Sequence, residues 1–157
     1  MFDFFKKEKY LATVADGGII SISSVPDQVF SQKILGDGFA VIPEHGDIFS
    51  PASGTVTDVT ETLHAYCITS DDGLEILVHI GIDTVELKGK GFTPLVKAGD
   101  RIERGGVLAH ADLKEIESAG YNTPTVVIIT NTDKLKSFSV LENPSAKSGD
   151  KALTYKI

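Results

Sequence analysis

Four histidines, His45, His64, His79 and His110, are the side chains best suited to chemistry near neutral pH in this 157-residue chain. His45 lies in Pro43-Glu44-His45-Gly46-Asp47, a turn composition in which a solvated imidazole is the default. His110, in Leu108-Ala109-His110-Ala111-Asp112, ends a strand-like run and is read as structural. His64 and His79 differ, because the runs that carry them, Leu63–Thr69 and Leu74–Ile82, flank the turn residues Ser70-Asp71-Asp72-Gly73 and so form a hairpin. A two-residue loop at Asp72-Gly73 sets Tyr66 opposite His79 with His64 as its diagonal neighbour. A four-residue loop from Ser70 to Gly73 sets His64 directly opposite His79, and only a three-residue loop separates them onto different faces. Asp-Gly favours the two-residue form, so the imidazoles are expected to meet. Two close neutral imidazoles offer a nucleophilic nitrogen and a hydrogen-bond donor, the parts needed to take up a phosphoryl group and balance its charge.

The elements that must position them read as short strands between turn signals. Ile19-Ile20-Ser21-Ile22-Ser23, Phe39-Ala40-Val41-Ile42, Thr55-Val56-Thr57-Asp58-Val59-Thr60 and Val126-Val127-Ile128-Ile129 are rich in Val, Ile and Thr, with Gly, Pro, Asn and Asp between them. The fold class expected is all-β, an antiparallel sandwich or barrel with one or two short helices. One helix is placed after Asp112, which caps it with Glu115 three residues on, while Leu113 and Ile116 share a face and Gly120 ends it. Val56-Thr57-Asp58-Val59 and Val107-Leu108-Ala109-His110 each follow a glycine-bearing turn, a faint trace of duplicated halves. Residues 1–18 are expected to form a loosely held N-terminal segment and 19–157 a single domain.

Composition removes other classes. A net charge of −7 argues against nucleic acid, which needs a basic face, and suits a basic protein partner. No Gly-rich phosphate loop or Walker-type lysine occurs, so ATP is not the expected donor, and no cofactor is expected. The single cysteine, Cys67, excludes an internal disulfide and reads as a small buried hydrophobe in a reducing compartment. The start, Met1-Phe2-Asp3-Phe4-Phe5-Lys6-Lys7-Glu8-Lys9, places its apolar residues before its positive charges, unlike a secretory signal. A frayed or packed terminus is favoured over Phe2 and Phe5 resting on a membrane surface. The cytoplasm is the expected compartment.

At Gly73-Leu74-Glu75-Ile76-Leu77-Val78-His79-Ile80-Gly81-Ile82-Asp83-Thr84-Val85 the chain resembles the glucose-type enzyme IIA of the bacterial phosphoenolpyruvate–sugar phosphotransferase system. Asp27-Gln28-Val29-Phe30 with Gly36-Asp37-Gly38, Ser50-Pro51-Ala52-Ser53-Gly54-Thr55-Val56, and Thr62-Leu63-His64-Ala65 are similar to the same family. The resemblance implies a β-sandwich of the duplicated hybrid kind, with His79 phosphorylated on Nε2 and His64 as its companion. It further implies that Thr62 orients His64, that Asp83 is the acidic neighbour, and that Val29, Phe30, Ile34, Leu77 and Val85 ring a shallow crater where partners dock. The implied donor is the histidine phosphocarrier protein (HPr), and the implied acceptor is the enzyme IIB domain of a sugar transporter. The implied alternative is a regulatory module whose phosphorylation state controls permeases or metabolic enzymes by docking. Zinc bridging the histidines together with a partner's carboxylate is compatible with the resemblance. Zinc hydrolysis is disfavoured, since two histidines leave a catalytic site one ligand short. Thr60 stands where some relatives carry an aromatic residue, and His110 where the family usually has one.

Overall fold

A computed structural model of the chain describes residues 8–157. Its elements run β1 (Lys9–Ala12), β2 (Gly17–Ser21), α1 (Gln28–Ser31), β3 (Asp37–Pro43), β4 (Asp47–Phe49), β5 (Gly54–Val59), β6 (Ala65–Ser70) and β7 (Glu75–Ile80). They continue as β8 (Phe92–Pro94), β9 (Arg101–Ile102), β10 (Val107–Ala111), α2 (Leu113–Ser118), β11 (Thr125–Ile129), β12 (Ser137–Val140), β13 (Asn143–Ala146) and β14 (Lys151–Lys156). The pairings between these strands are antiparallel. They form an eight-stranded sheet in the order β13-β2-β3-β11-β7-β6-β5-β9 and two three-stranded sheets, β1-β14-β12 and β4-β10-β8.

Alternation decides which way each strand faces. In β7, Ile76, Val78 and Ile80 are buried on one face while Glu75, Leu77 and His79 point to the other. The first set joins Tyr66, Val127, Phe39, Leu108, Ile48, Leu11 and Leu153 in one core that all three sheets share, which makes the molecule a β-sandwich. The second face is not bare. Ile22, Val25, Phe30, Ala40, Ile82, Val126 and Ile128 form a smaller apolar cluster on it, under α1. Central β11, Thr125–Ile129, is accordingly buried at every position, as a strand covered on both faces must be.

α2 forms where its caps predict it, with the Asp112 carboxylate accepting from Glu115 N–H at 3.0 Å. α1 was not read from the sequence, and its signal is the same device at shorter range: Asp27 Oδ1 accepts from Val29 N–H at 2.9 Å. The boundary drawn after Gly18 falls inside β2, and β1 pairs with β14, with Leu11, Val14 and Ala15 fully buried. The reading of Phe2 and Phe5 lies outside the described residues.

Candidate functional site

The two singled-out histidines meet, but not by the route the sequence suggested. The β6–β7 hairpin has a three-residue loop, Asp71-Asp72-Gly73: Ser70 N–H donates to Leu74 O, and Gly73, at φ 90°, supplies the left-handed residue after the turn. Ala65, not His64 or Tyr66, therefore sits opposite His79, and the expected even loop count is corrected. Continued alternation would send His64 to the core face, because its backbone partner is Ile80, whose N–H donates to His64 O at 2.7 Å. His64 instead lies in the connection ahead of β6, where Leu63 takes the left-handed conformation at φ 62°. Outside the ladder the alternation no longer holds, and the His64 ring lies on the His79 side. The two ring centroids are 4.8 Å apart, with ring planes at 80°.

Each ring is held from behind. His79 Nδ1 lies 2.8 Å from the carbonyl oxygen of Gly81, which can only accept, so Nδ1 carries the proton and Nε2 keeps its lone pair. Gly81 is in the left-handed region at φ 77°, and a Cβ there would come within 2.5 Å of Thr84 Cγ2 and 2.9 Å of Asn122 O. The Thr84 hydroxyl, fully buried, donates to Ile80 O. The segment His79-x-Gly81-x-Asp83-Thr84 is thus a backbone fold that fixes one imidazole. Phe30, presented by α1, meets His79 edge to face at 4.9 Å. On the other ring, Thr62 Oγ1 lies 2.7 Å from His64 Nδ1, and Thr60 Oγ1 lies 3.4 Å away.

Burial sets the protonation of both groups. His64, only 7% exposed, is pushed down to about 4, first by burial and then by repulsion from His79. His79 is also lowered by burial, opposed by the Gly81 carbonyl and by the carboxylates of Asp27 and Asp83. Near pH 7 the pair is therefore two neutral imidazoles, one of them with an unprotonated Nε2. Such an arrangement can perform nucleophilic attack on an electrophile held between the rings.

The apolar residues around it divide. Phe30 and Leu77 pack into the cluster under α1, whereas Val29, Ile34 and Val85 remain 42%, 65% and 46% exposed. Val29 and Ile34 belong to the α1 turn that carries Phe30, and Val85 follows the exposed, left-handed Asp83. Sequence reasoning did not assign Asp27 or Gly81, whose contribution here comes from a carboxylate and a backbone carbonyl. A surface concavity of about 570 Å³ lined by Tyr10, Arg104, Lys151 and Tyr155 lies away from the histidines.

The other candidates stand elsewhere. His110 is the exposed cross-strand partner of Asp47, with Nδ1 and Oδ1 3.2 Å apart. His45 is exposed in its turn. Cys67 is half-buried rather than part of the shared core, and burial, with Asp58 nearby, pushes its thiol up. Among the described residues no group of three or more His, Cys, Asp or Glu side chains is arranged to hold a metal ion. Nor is any described helix long and apolar enough to cross a membrane.

A sequence model of the family described as phosphoenolpyruvate-dependent sugar phosphotransferase system, EIIA 1, matches residues 9–135. The chain belongs to this EIIA family. Over 147 residues this EIIA is 37% identical to the glucose-specific EIIA component of Halalkalibacterium halodurans, covering 94% of the chain and 85% of that protein. Over 125 residues it is 51% identical to the glucose-specific EIICBA component of Streptococcus pneumoniae, covering 80% of the chain but 17% of that protein. The chain spans only 17%, 20% and 23% of three such longer curated relatives. Glucose permease IIA from Mycoplasma capricolum has the same fold, with a TM-score of 0.84 at 35% identity over 98% of this chain and 99% of that one. The EIIA is accordingly a component of a sugar phosphotransferase system, built on the β-sandwich that the resemblance implied.

Proposed function

We propose that this EIIA is a cytoplasmic phosphocarrier that accepts a phosphoryl group on Nε2 of His79 from phospho-HPr and passes it to the enzyme IIB domain of a sugar transporter. The observation that carries the reading is the bond from His79 Nδ1–H to Gly81 O, since it leaves Nε2 as the free nucleophile. In the first step the Nε2 lone pair attacks phosphorus while the P–N bond to the HPr histidine breaks, its electron pair staying on that nitrogen. In the second step a thiolate of enzyme IIB attacks phosphorus and the P–Nε2 bond breaks. His64 donates a hydrogen bond to a phosphoryl oxygen as charge shifts, with Thr62 orienting it. Asp27 and Asp83 add negative charge beside the site, which discourages the phosphoryl group from settling. Glucose-specific and β-glucoside-specific relatives that join EIIA to EIIB and EIIC in one chain support enzyme IIB as the acceptor. Contact with the membrane is then only through the transporter, and no nucleic acid is involved.

A regulatory docking module is the second reading, favoured by the exposed Val29, Ile34 and Val85 near the histidines. Incubation with phosphoenolpyruvate, enzyme I and HPr, then with an enzyme IIB domain, separates the two. Label on His79 that moves on to enzyme IIB is the expected result. Label retained in a His79→Ala variant, or found on His110, overturns the assignment.

A further inference from the structure

We propose that the main-chain carbonyl of Asn122 is a positioning group for His79, acting through the peptide unit between Gly81 and Ile82. The inference rests on the relay reading above and adds to it a segment, Asn122-Thr123-Pro124, that the reading does not use. The peptide unit between Gly81 and Ile82 is engaged at both ends. Its oxygen accepts from His79 Nδ1–H at 2.8 Å, and its N–H donates to Asn122 O at 3.0 Å. The preceding peptide is held by the same segment, because Gly81 N–H donates to Pro124 O at 3.1 Å. A glycine has an unusually free backbone, so without these partners the peptide would be free to swing its oxygen away from the imidazole. Hydrogen bonds in series also reinforce one another: an amide whose N–H is donating is a better acceptor at its oxygen. A stronger acceptor at Nδ1–H makes Nε2, the nitrogen that attacks, more basic.

The segment is itself fixed from both directions. Before it, α2 closes in a Schellman motif: Gly120, at φ 94°, donates its N–H to Glu117 O at 2.9 Å, and Tyr121 N–H donates to Ile116 O at 3.1 Å. After it, Pro124, whose ring sets its own φ, leads straight into β11. There Thr125 is fully buried, and its hydroxyl donates to Thr123 O at 3.3 Å. Ile116, fully buried in the shared core, anchors the helix that ends here. Two packed elements, α2 and β11, therefore hold between them the two carbonyls that the His79 segment needs.

Replacing the amide between Asn122 and Thr123 by an ester tests this, because an ester carbonyl is a weaker acceptor and Thr123 N–H has no partner among the described residues. The forms compared are the full chain carrying Thr123→Ala and the same chain with lactic acid in place of that alanine, which differ only in the linkage. Imidazole proton NMR at pH 7 on the unphosphorylated protein is the readout. In the ester form the His79 Nδ1–H resonance should move upfield and exchange with water about threefold faster, the lower end of what one hydrogen bond contributes. Labelling of His79 by phospho-HPr should slow by a similar factor. A resonance and exchange rate equal in the two forms overturns the proposal, even where labelling falls. The wild-type chain supplies a check that needs no variant: a scalar coupling across the hydrogen bond between the Ile82 nitrogen and the Asn122 carbonyl carbon is expected, and its absence overturns the proposal as well. An Nδ1–H signal that responds to the ester in a protein that never labels His79 would sink the relay reading and leave the role of Asn122 standing.

Discussion

His79 and Gly81 are joined by a hydrogen bond of 2.8 Å from the imidazole Nδ1–H to the carbonyl two residues on, at a position where a side chain cannot be accommodated. Gly81→Ala should therefore cost both stability and chemistry. The left-handed backbone alone costs a non-glycine residue about 1–2 kcal/mol, and the overlap with Asn122 O, a backbone atom, adds to it. A lowered denaturation midpoint together with weaker labelling of His79 is the expected pair of results. An unchanged midpoint would show that the segment relaxes freely.

Substitution separates the roles of the two histidines. His79→Gln abolishes acceptance, since an amide is no phosphoryl acceptor. His64→Gln keeps a donor near the phosphoryl group, so His79 is still labelled while transfer to enzyme IIB slows by about 10²-fold, the usual effect of weakening one charge-stabilising donor. Rapid-quench measurement of both half-reactions checks this; a wild-type onward rate for His64→Gln removes His64 from the mechanism.

Stability should fall with acid over a defined window. His64 titrates at about 4 in the folded state against 6.5 unfolded, so between these values the unfolded chain binds more protons than the native one. Stability is thus full above pH 6.5 and declines as pH falls toward 4, by at most about 3 kcal/mol from this group. His79, also lowered, acts in the same direction. Urea midpoints at neutral pH and near pH 4.5 measure the loss, which His64→Gln should reduce.

Leu63, which precedes His64 in the connection to β6, has a left-handed φ of 62°, unusual for a leucine. Leu63→Ile preserves volume but adds a β-branch that this conformation disfavours, so it should destabilise the protein by about 1–2 kcal/mol and impair onward transfer. Leu63→Asn tolerates the conformation and should keep the His64 placement, at the expense of some packing against the core. Transfer rates that rank Ile above Asn would contradict this account.

The hydroxyl of Tyr66, fully buried in the shared core, has no hydrogen-bond partner among the described residues. Tyr66→Phe should leave stability unchanged or raise it by about 1 kcal/mol, because it removes an unpaired buried polar group without opening a cavity. A clear loss of stability in urea unfolding would mean the hydroxyl has a partner.

Much of this architecture was legible in the chain. The alternation of Thr55–Thr60 marked β5, the run Leu74–Ile82 marked the hairpin arm that is β7, and Asp112 with Glu115 marked α2 within a residue of its start. The meeting of His64 and His79 was anticipated from an incorrect register. Asp72-Gly73 suggested a two-residue loop, yet Gly73 serves as the left-handed residue after Asp71-Asp72, which shifts every cross-strand pair by one. His64 escapes that shift because it lies ahead of β6, and nothing in the identity of Leu63 signals the left-handed backbone beside it. Burial of both faces at β11 was equally hidden, because an apolar run does not say what covers its second side. Asp27 and Gly81 act through a carboxylate and a carbonyl whose placement depends on the tertiary fold.

One feature of β7 bears on traffic through the relay. His79 points away from the shared core, so the strand lies between the ring and that core and a partner meets it from the face that carries α1. Donor and acceptor in the proposed relay must then occupy the same ground in turn. Each has to leave before the other arrives, which makes residence time, rather than tightness of grip, the quantity that limits throughput. Binding strengthened with one partner, for instance by enlarging Val29 or Val85, should lengthen its stay and throttle the flow of phosphoryl groups.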